Sequence, residues 1–244
     1  MKIIVLQHIS CETPGFISDL MIKDKIEITT IQLDEGGLIP DNLSDYDAMF
    51  CMGGPMDTWM EKDYNWLKNE KNKIEEFVIK LKKPFLGFCL GCQLLGEVVG
   101  GQVAKSVPPE IGMLDINLLT EKNSDKIFND FPKTIKALQW HSYEVKGLED
   151  NKNVTLIASS SSTKYQIFRY KEYAYGIQFH IEIKDNTVKD WSCVPEYKNA
   201  LEDALGQGAL EKFDIQAQEN MNQMNHLATV LYKNFIKIVK RGLN

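Results

Sequence analysis

The segment Pro84-Phe85-Leu86-Gly87-Phe88-Cys89-Leu90-Gly91-Cys92-Gln93 constrains this chain more than any other. Residues 85–88 read as a short buried strand after a proline that stops the preceding helix. Residues 91–99 read as a helix, closed by Gly100-Gly101. A strand running into Gly-x-Cys-x-Gly and then into a helix is the setting of a nucleophile elbow. The glycines remove side chains where backbone must bend and approach its neighbours. Cys89 is thereby predicted at the carboxyl end of a strand, where open α/β sheets bind ligands. The start of the following helix and a nearby histidine would favour a thiolate there. The N–H of Leu90 would face a developing oxyanion.

Two other readings compete for Cys89. Buried free cysteine is common in cores, but a packing role does not need glycines on both sides. Cys89-Leu90-Gly91-Cys92 is also formally C-x-x-C, a redox spacing. Cys92 would then lie in the first helical turn, where a small core residue is the simpler explanation.

The rest of the chain supplies alternating strands and helices. Residues 3–6, 26–32 and 48–52 read as strands, and 64–82 as a helix with a Lys/Glu-rich solvated face. Residues 113–119, 134–138 and 154–159 read as further strands. Residues 166–170 and 174–178 suggest a hairpin. From residue 184 the pattern is helical, with Leu227, Val230, Leu231, Phe235, Ile238 and Val239 as a buried stripe. This order predicts an α/β fold: an open, mostly parallel sheet with helices on both faces in three layers. With no internal repeat or low-complexity linker, residues 1–244 are expected to form one domain, with 184–244 as a helical extension.

Composition excludes several function classes. Net charge is 28 − 34 = −6, and no basic run tracks a phosphate backbone, so nucleic acid is not an expected partner. No apolar run approaches the roughly 20 residues that span a bilayer. The N-terminal stretch is too short for a signal-peptide core. A cytoplasmic, membrane-free setting is therefore expected, in which the five cysteines stay reduced. Their spacing with the four histidines matches no metal-ligand pattern, so neither metal nor cofactor is expected.

An elbow nucleophile needs a base. Tyr175-Gly176-Ile177-Gln178-Phe179-His180-Ile181-Glu182 ends a strand with a histidine and then a carboxylate. In extended backbone, positions i and i+2 share a face, so Glu182 can orient His180 toward the thiol. His226 reads as a surface or packing residue. His8 closes the first strand, with nothing in the sequence to pair it with a carboxylate. His141, within Gln139-Trp140-His141-Ser142, reads as a loop residue suited to substrate contact. Gly53-Gly54-Pro55 follows the third strand and can turn backbone N–H groups toward a ligand.

These ordered motifs resemble the class I glutamine amidotransferases: a Gly-Gly-Pro loop, a Gly-x-Cys-x-Gly-x-Gln elbow and a later Gln-Phe-His-x-Glu. Glu110-Ile111-Gly112 and Gln139-Trp140-His141 further resemble the stand-alone, GMP synthase-like branch. The resemblance covers residues 1–183 and implies a flavodoxin-like topology. It implies Cys89 as nucleophile, His180 as base and acid, and Glu182 as its partner. It implies Gly54 and Leu90 N–H groups as an oxyanion hole, and Gly53, Gln93, Trp140, His141 and Ser142 as substrate contacts. One departure is Ile181, where the family often has proline.

The implied reaction is hydrolysis of glutamine or another γ-glutamyl amide through a Cys89 thioester. The 244 residues hold no ATP-binding loop, so the expected partner is a separate ammonia-accepting synthase subunit. Direct γ-glutamyl peptidase activity without an acceptor is the alternative. A non-catalytic redox or regulatory module is the other. An acceptor-side pocket is expected from the loops near residues 11–16, 56–64 and 107–111.

Overall fold

A computed structural model of the chain describes residues 1–119 and 125–242. The elements run β1 (Lys2–Gln7), α1 (Gly15–Lys23), β2 (Glu27–Gln32), β3 (Ala48–Cys51), α2 (Trp66–Glu75), β4 (Phe85–Phe88), α3 (Leu90–Val98), β5 (Gln102–Leu118), β6 (Thr134–Lys146), β7 (Val154–Ser159), β8 (Ile167–Tyr170), β9 (Ala174–Ile177), α4 (Thr187–Ser192), α5 (Pro195–Leu205) and α6 (Ala209–Gly242). Helix α2 continues as a π-helical turn over Glu76–Lys80. Of the expected helical extension, residues 243 and 244 lie outside the described residues.

The strands form one nine-stranded sheet in the order β2-β1-β3-β4-β9-β8-β7-β5-β6. The first five are parallel and, counted along the chain, follow the 2-1-3-4-5 order of flavodoxin-like sheets. The remaining four pairings are antiparallel. The sheet is therefore mixed, four parallel pairings against four antiparallel, and not mostly parallel as the strand–helix alternation suggested. The reason lies in the middle of the chain. There, β7, β8 and β9 follow one another through connections too short for the helical crossover that a parallel pair requires.

Side-chain alternation splits the core in two. On β1, Ile3 and Val5 face one layer while Ile4 and Leu6 face the other, as the period of two dictates. The first layer packs against α1, α4, α5 and α6; the second against α2 and α3. Doubly covered strands have no solvent face, so β3 and β4 are buried at every position.

Helix α6 carries its apolar stripe onto the sheet. Phe235 is fully buried, with its ring edge-on to Phe50 of β3 at 5.4 Å. Truncating Phe235 to Ala will cost about 3–5 kcal/mol, as large-to-small changes in closed cores do. Urea denaturation reads this directly. A loss below about 1 kcal/mol would mean that α6 is not seated as described.

Two sequence expectations fell short in extent. The predicted strand at 113–119 belongs to β5, which begins at Gln102 and carries a register shift between Lys105 and Glu110. The predicted strand at 134–138 runs on to Lys146, so His141 lies in β6 and not in a loop. Exposed polar positions and Pro108-Pro109 break the apolar alternation that marks a strand in sequence. Helix α1 carries no clear sequence signature, because Pro14-Gly15 hides its start.

Candidate active site

Strand β4 and its parallel neighbour β9 end side by side, and the Cys89 N–H donates to the Ile177 carbonyl at 2.9 Å. Cys89 sits at φ 46°, ψ −103°, a conformation L-residues avoid and one that clusters at functional sites. Both flanking glycines are required by contact. A Cβ on Gly87 would strike the carbonyl of Gly91, and one on Gly91 would strike the carbonyl of Cys51. The turn is thus pressed between α3 and β3 with no room for a side chain on either side of the cysteine.

Three residues beyond Ile177, His180 is docked on β6 by paired backbone bonds with Leu138, at 2.9 and 3.2 Å. Its Nδ1–H donates to Glu182 Oε1 at 2.6 Å. The imidazole also couples electrostatically to the Cys89 side chain, and with Nδ1 held by the carboxylate, Nε2 is the ring nitrogen left for the sulfur. Burial on its own would lower the imidazole pKa. The Glu182 carboxylate and the Cys89 sulfur outweigh it and hold His180 well above its usual range. The ring is buried, edge-on to Trp191 at 4.6 Å.

The Ile181 departure has a structural consequence. The Ile181 N–H donates to Glu182 Oε2 at 2.9 Å, a bond that proline has no hydrogen to make. Both carboxylate oxygens of Glu182 are therefore occupied, one by the ring and one by backbone.

A cavity of about 260 Å³ opens onto Cys89, sized for an amino-acid side chain. Gly54, Gln93, Trp140, His141, Ser142 and Tyr197 are among its walls. The first five are predicted site residues. Gln93 is tied by its amide to Tyr143 O at 3.1 Å and Gln178 Oε1 at 3.3 Å. Trp140 donates its indole N–H to Tyr197 O at 3.0 Å. His141 Nδ1–H donates to Tyr143 O at 3.0 Å, and its Nε2 lies 3.3 Å from Glu110 Oε2. Leu90 buries its side chain and begins α3, so its N–H has no intrahelical acceptor. Gly53 is not a cavity wall. Its carbonyl accepts from His8 Nδ1–H at 2.8 Å.

Sequence reasoning missed the far wall. Glu196, Tyr197 and Ala200 of α5 line the cavity, while residues 11–16 do not. The Tyr197 hydroxyl donates to buried Glu12, whose carboxyl burial pushes above its usual range. A second cavity of about 380 Å³ shares Ser142, Glu196 and Ala200 with the first and includes Pro109 and Asp203.

Behind the Gly53-Gly54 loop, fully buried His8, Cys51 and Glu70 bring their ligand-type atoms within 4.8 Å of one another. They come from the ends of β1 and β3 and from α2, so no sequence spacing announces them. His8 Nε2–H donates to Glu70 Oε1 at 2.9 Å, correcting the expectation that His8 lacks a carboxylate partner. The Cys51 thiol donates to the same oxygen at 3.4 Å. Burial and the adjacent Glu70 push this thiol well above its usual pKa, so it stays protonated.

Residues 17–190 match the model of the family "Glutamine amidotransferase class-I". The chain belongs to this family. A glutamine-hydrolyzing GMP synthase chain of Sulfurisphaera tokodaii is 33% identical over 143 residues, 58% of this chain and 70% of that protein. The glutamine amidotransferase-like protein YfeJ of Salmonella typhimurium is 26% identical over 228 residues, 92% of this chain and 93% of that protein. Among solved structures, a glutamine amidotransferase from Thermotoga maritima superposes with TM-score 0.84 at 26% identity, covering 96% of this chain and 98% of that one. In this class I amidotransferase chain the family match begins within α1 and ends within α4, and the likeness to the Thermotoga structure extends to 96% of the chain. Among the described residues, no helix is long and apolar enough to cross a membrane.

Proposed function

We propose that this chain hydrolyses the γ-glutamyl amide of glutamine through a Cys89 thioester, with His180 and Glu182 as base and orienter. The observation that carries this is the buried Glu182–His180 hydrogen bond, with the imidazole coupled to Cys89 and Cys89 lining an amino-acid-sized cavity. His180 draws the proton from the thiol, and the thiolate attacks the amide carbon. The carbonyl oxygen gains the charge and takes hydrogen bonds from the Gly54 and Leu90 N–H groups. His180 then returns the proton to the departing nitrogen, releasing ammonia and leaving the acyl group on sulfur. Water, deprotonated by His180, attacks the thioester and releases glutamate and the thiol. Gln93 and the Trp140–His141–Ser142 stretch would hold the glutamate portion, with Gly53 shaping the loop beside it.

Relatives named as glutamine-hydrolyzing chains of GMP synthase support a separate, ammonia-accepting synthase partner. A cytoplasmic setting accords with five unpaired cysteines. A second reading has its own support: the adjoining cavity beyond Ser142 and Glu196 has room for a leaving amine larger than ammonia, as direct γ-glutamyl peptide hydrolysis requires.

A diazo-ketone analogue of glutamine will alkylate Cys89 stoichiometrically, and mass spectrometry of the tryptic peptide will locate the adduct. The folded protein remaining unlabelled at saturating reagent would sink the proposal. Release of ammonia from glutamine, compared with amine release from a panel of γ-glutamyl peptides, then separates the two readings. A synthase-coupled enzyme prefers glutamine and accelerates with its partner. A peptidase prefers the peptides and needs none.

A further inference from the structure

The proposed reaction uses Gly54 N–H but says nothing of what aims it. That N–H belongs to the same planar peptide group as the Gly53 carbonyl. In a trans peptide the two point in opposite directions. Whatever holds the carbonyl therefore sets the direction of the N–H. The Gly53 carbonyl is held by one side chain, His8, at 2.8 Å. His8 is in turn held by Glu70 at 2.9 Å and by its stack on Trp66 of α2, with ring centroids 5.6 Å apart at 27°. We propose that His8, braced by Glu70, is a positioning residue of the amidase reaction, aiming and polarising the Gly53–Gly54 peptide as an oxyanion donor. The inference rests on the proposed amidase reading and names a further pair of residues for it.

Three observations carry it. First, both partners of the His8 ring are acceptors, a carbonyl and a carboxylate. Satisfying both requires both ring nitrogens to carry hydrogen, so the ring is an imidazolium. Burial opposes that charge, but Glu70 and the Gly53 carbonyl outweigh it and raise His8 above its usual range. Second, a buried cation against a carbonyl oxygen draws electron density from the peptide and makes its N–H a stronger donor. That effect is larger in a water-free site than in solution. Third, the peptide has little free space beside it. A Cβ on Gly53 would lie 2.7 Å from Glu12 Oε2, and one on Gly54 would lie 2.6 Å from Met56 Sδ and 3.0 Å from His8 Cβ. Glu12, Met56 and His8 thus pack closely against the loop, and Gly54 and Met56 border the cavity beside Cys89.

A purely structural role predicts a different outcome from an aiming role, and two chemistries at Cys89 separate them. Amide hydrolysis passes through an oxyanion. Alkylation by the diazo-ketone displaces N₂ at a methylene carbon and needs only a bound reagent and a competent thiolate. In His8→Gln, the side-chain nitrogen matches Nε2 and keeps Glu70 but abandons the Gly53 carbonyl. In His8→Asn, it matches Nδ1 and keeps the carbonyl. We expect His8→Gln to lower kcat for glutamine about 100-fold with KM and the alkylation rate within about threefold of wild type, the loss typical of one oxyanion donor. His8→Asn will recover at least about tenfold of that kcat. Glu70→Gln preserves shape and removes the charge, and will lower kcat about five- to tenfold with alkylation unchanged.

A folded His8→Gln with kcat within threefold of wild type would overturn the proposal, as would turnover and alkylation falling in parallel. If the His8 variants do not fold, Glu70→Gln decides, and an unchanged kcat there refutes it. Wild-type protein that neither hydrolyses nor takes the label would refute the underlying amidase reading instead, a distinct result visible before any variant is made.

Discussion

Cys89→Ser will leave a folded protein whose γ-glutamyl amide hydrolysis is lower by about 10⁴-fold or more, since removing a nucleophile leaves only binding and oxyanion contacts. The substitution exchanges sulfur for a smaller oxygen of much higher pKa. A hydroxyl does not give up its proton to His180 as a thiol does, so the ion pair that attacks the amide does not form. Stability should change little, because the strained backbone at φ 46° is set by Gly87 and Gly91 and not by the sulfur. Substrate affinity, read by calorimetry with glutamine, should also survive, because the proposed contacts Gln93, Trp140 and Ser142 are untouched. The discriminating measurement is therefore ammonia release against binding in one preparation. Turnover within tenfold of wild type would remove Cys89 from the mechanism and return it to the packing role that its burial alone would suggest. An altered melting temperature with both readouts lost would say only that serine is not tolerated. In that case Cys89→Ala, which asks for no hydrogen bond in the turn, carries the same comparison.

The parts of this site legible in sequence are those whose evidence is local. Residues 85–88 form the strand as read, because four apolar or glycine positions after a proline leave no competing pattern. The Cys89 turn was legible because Gly87 and Gly91 are there for contacts with backbone, a need that no surface loop shares. His180 and Glu182 were legible because extended backbone places alternate residues together. The His8–Glu70 pair was not, for its partners lie 62 positions apart on β1 and α2, and nothing local in Ile3–His8 calls for an acid. Tyr197 and Trp191 escaped for the same reason: each is an ordinary amphipathic-helix aromatic until α5 and α4 fold against β6 and the first loop. The antiparallel half of the sheet was underestimated where long strands β5 and β6 trade apolar alternation for pairing with each other. Their stability comes from twelve paired positions, a property of two segments that neither carries alone. Sequence reading thus reached the groups whose signal is local and missed those whose partners lie far along the chain.

Glu182→Gln tests whether the carboxylate does more than fill space. Both of its oxygens accept, Oε1 from His180 Nδ1–H at 2.6 Å and Oε2 from the Ile181 N–H at 2.9 Å. Glutamine offers one acceptor and one amino group in the same space, so one of the two bonds is lost in either orientation. If the amide oxygen stays on Ile181, the amino group faces Nδ1 and drives the ring to the tautomer protonated at Nε2, which cannot receive the thiol proton. If it stays on the ring, the Ile181 N–H is left buried against another donor and the carboxylate's charge is gone all the same. We expect kcat/KM to fall by roughly 10²–10⁴, the range seen when a base loses its orienting acid. The pH profile supplies the second readout. Burial pulls the His180 pKa down, and Glu182 with Cys89 pulls it up by more. Removing the Glu182 charge takes away an upward influence on that pKa, so the alkaline limb of activity, where the imidazolium is lost, will move to lower pH. Stability follows the same sign. A histidine whose folded pKa is raised contributes stability that is complete below its unfolded value near 6.5 and is lost as pH rises through the folded value. The variant's deficit in denaturant stability will therefore be larger at about pH 6 than at about pH 9. A variant with kcat/KM within tenfold of wild type and an unmoved alkaline limb would show that His180 is oriented by its backbone pairing with Leu138 and not by the acid two residues on.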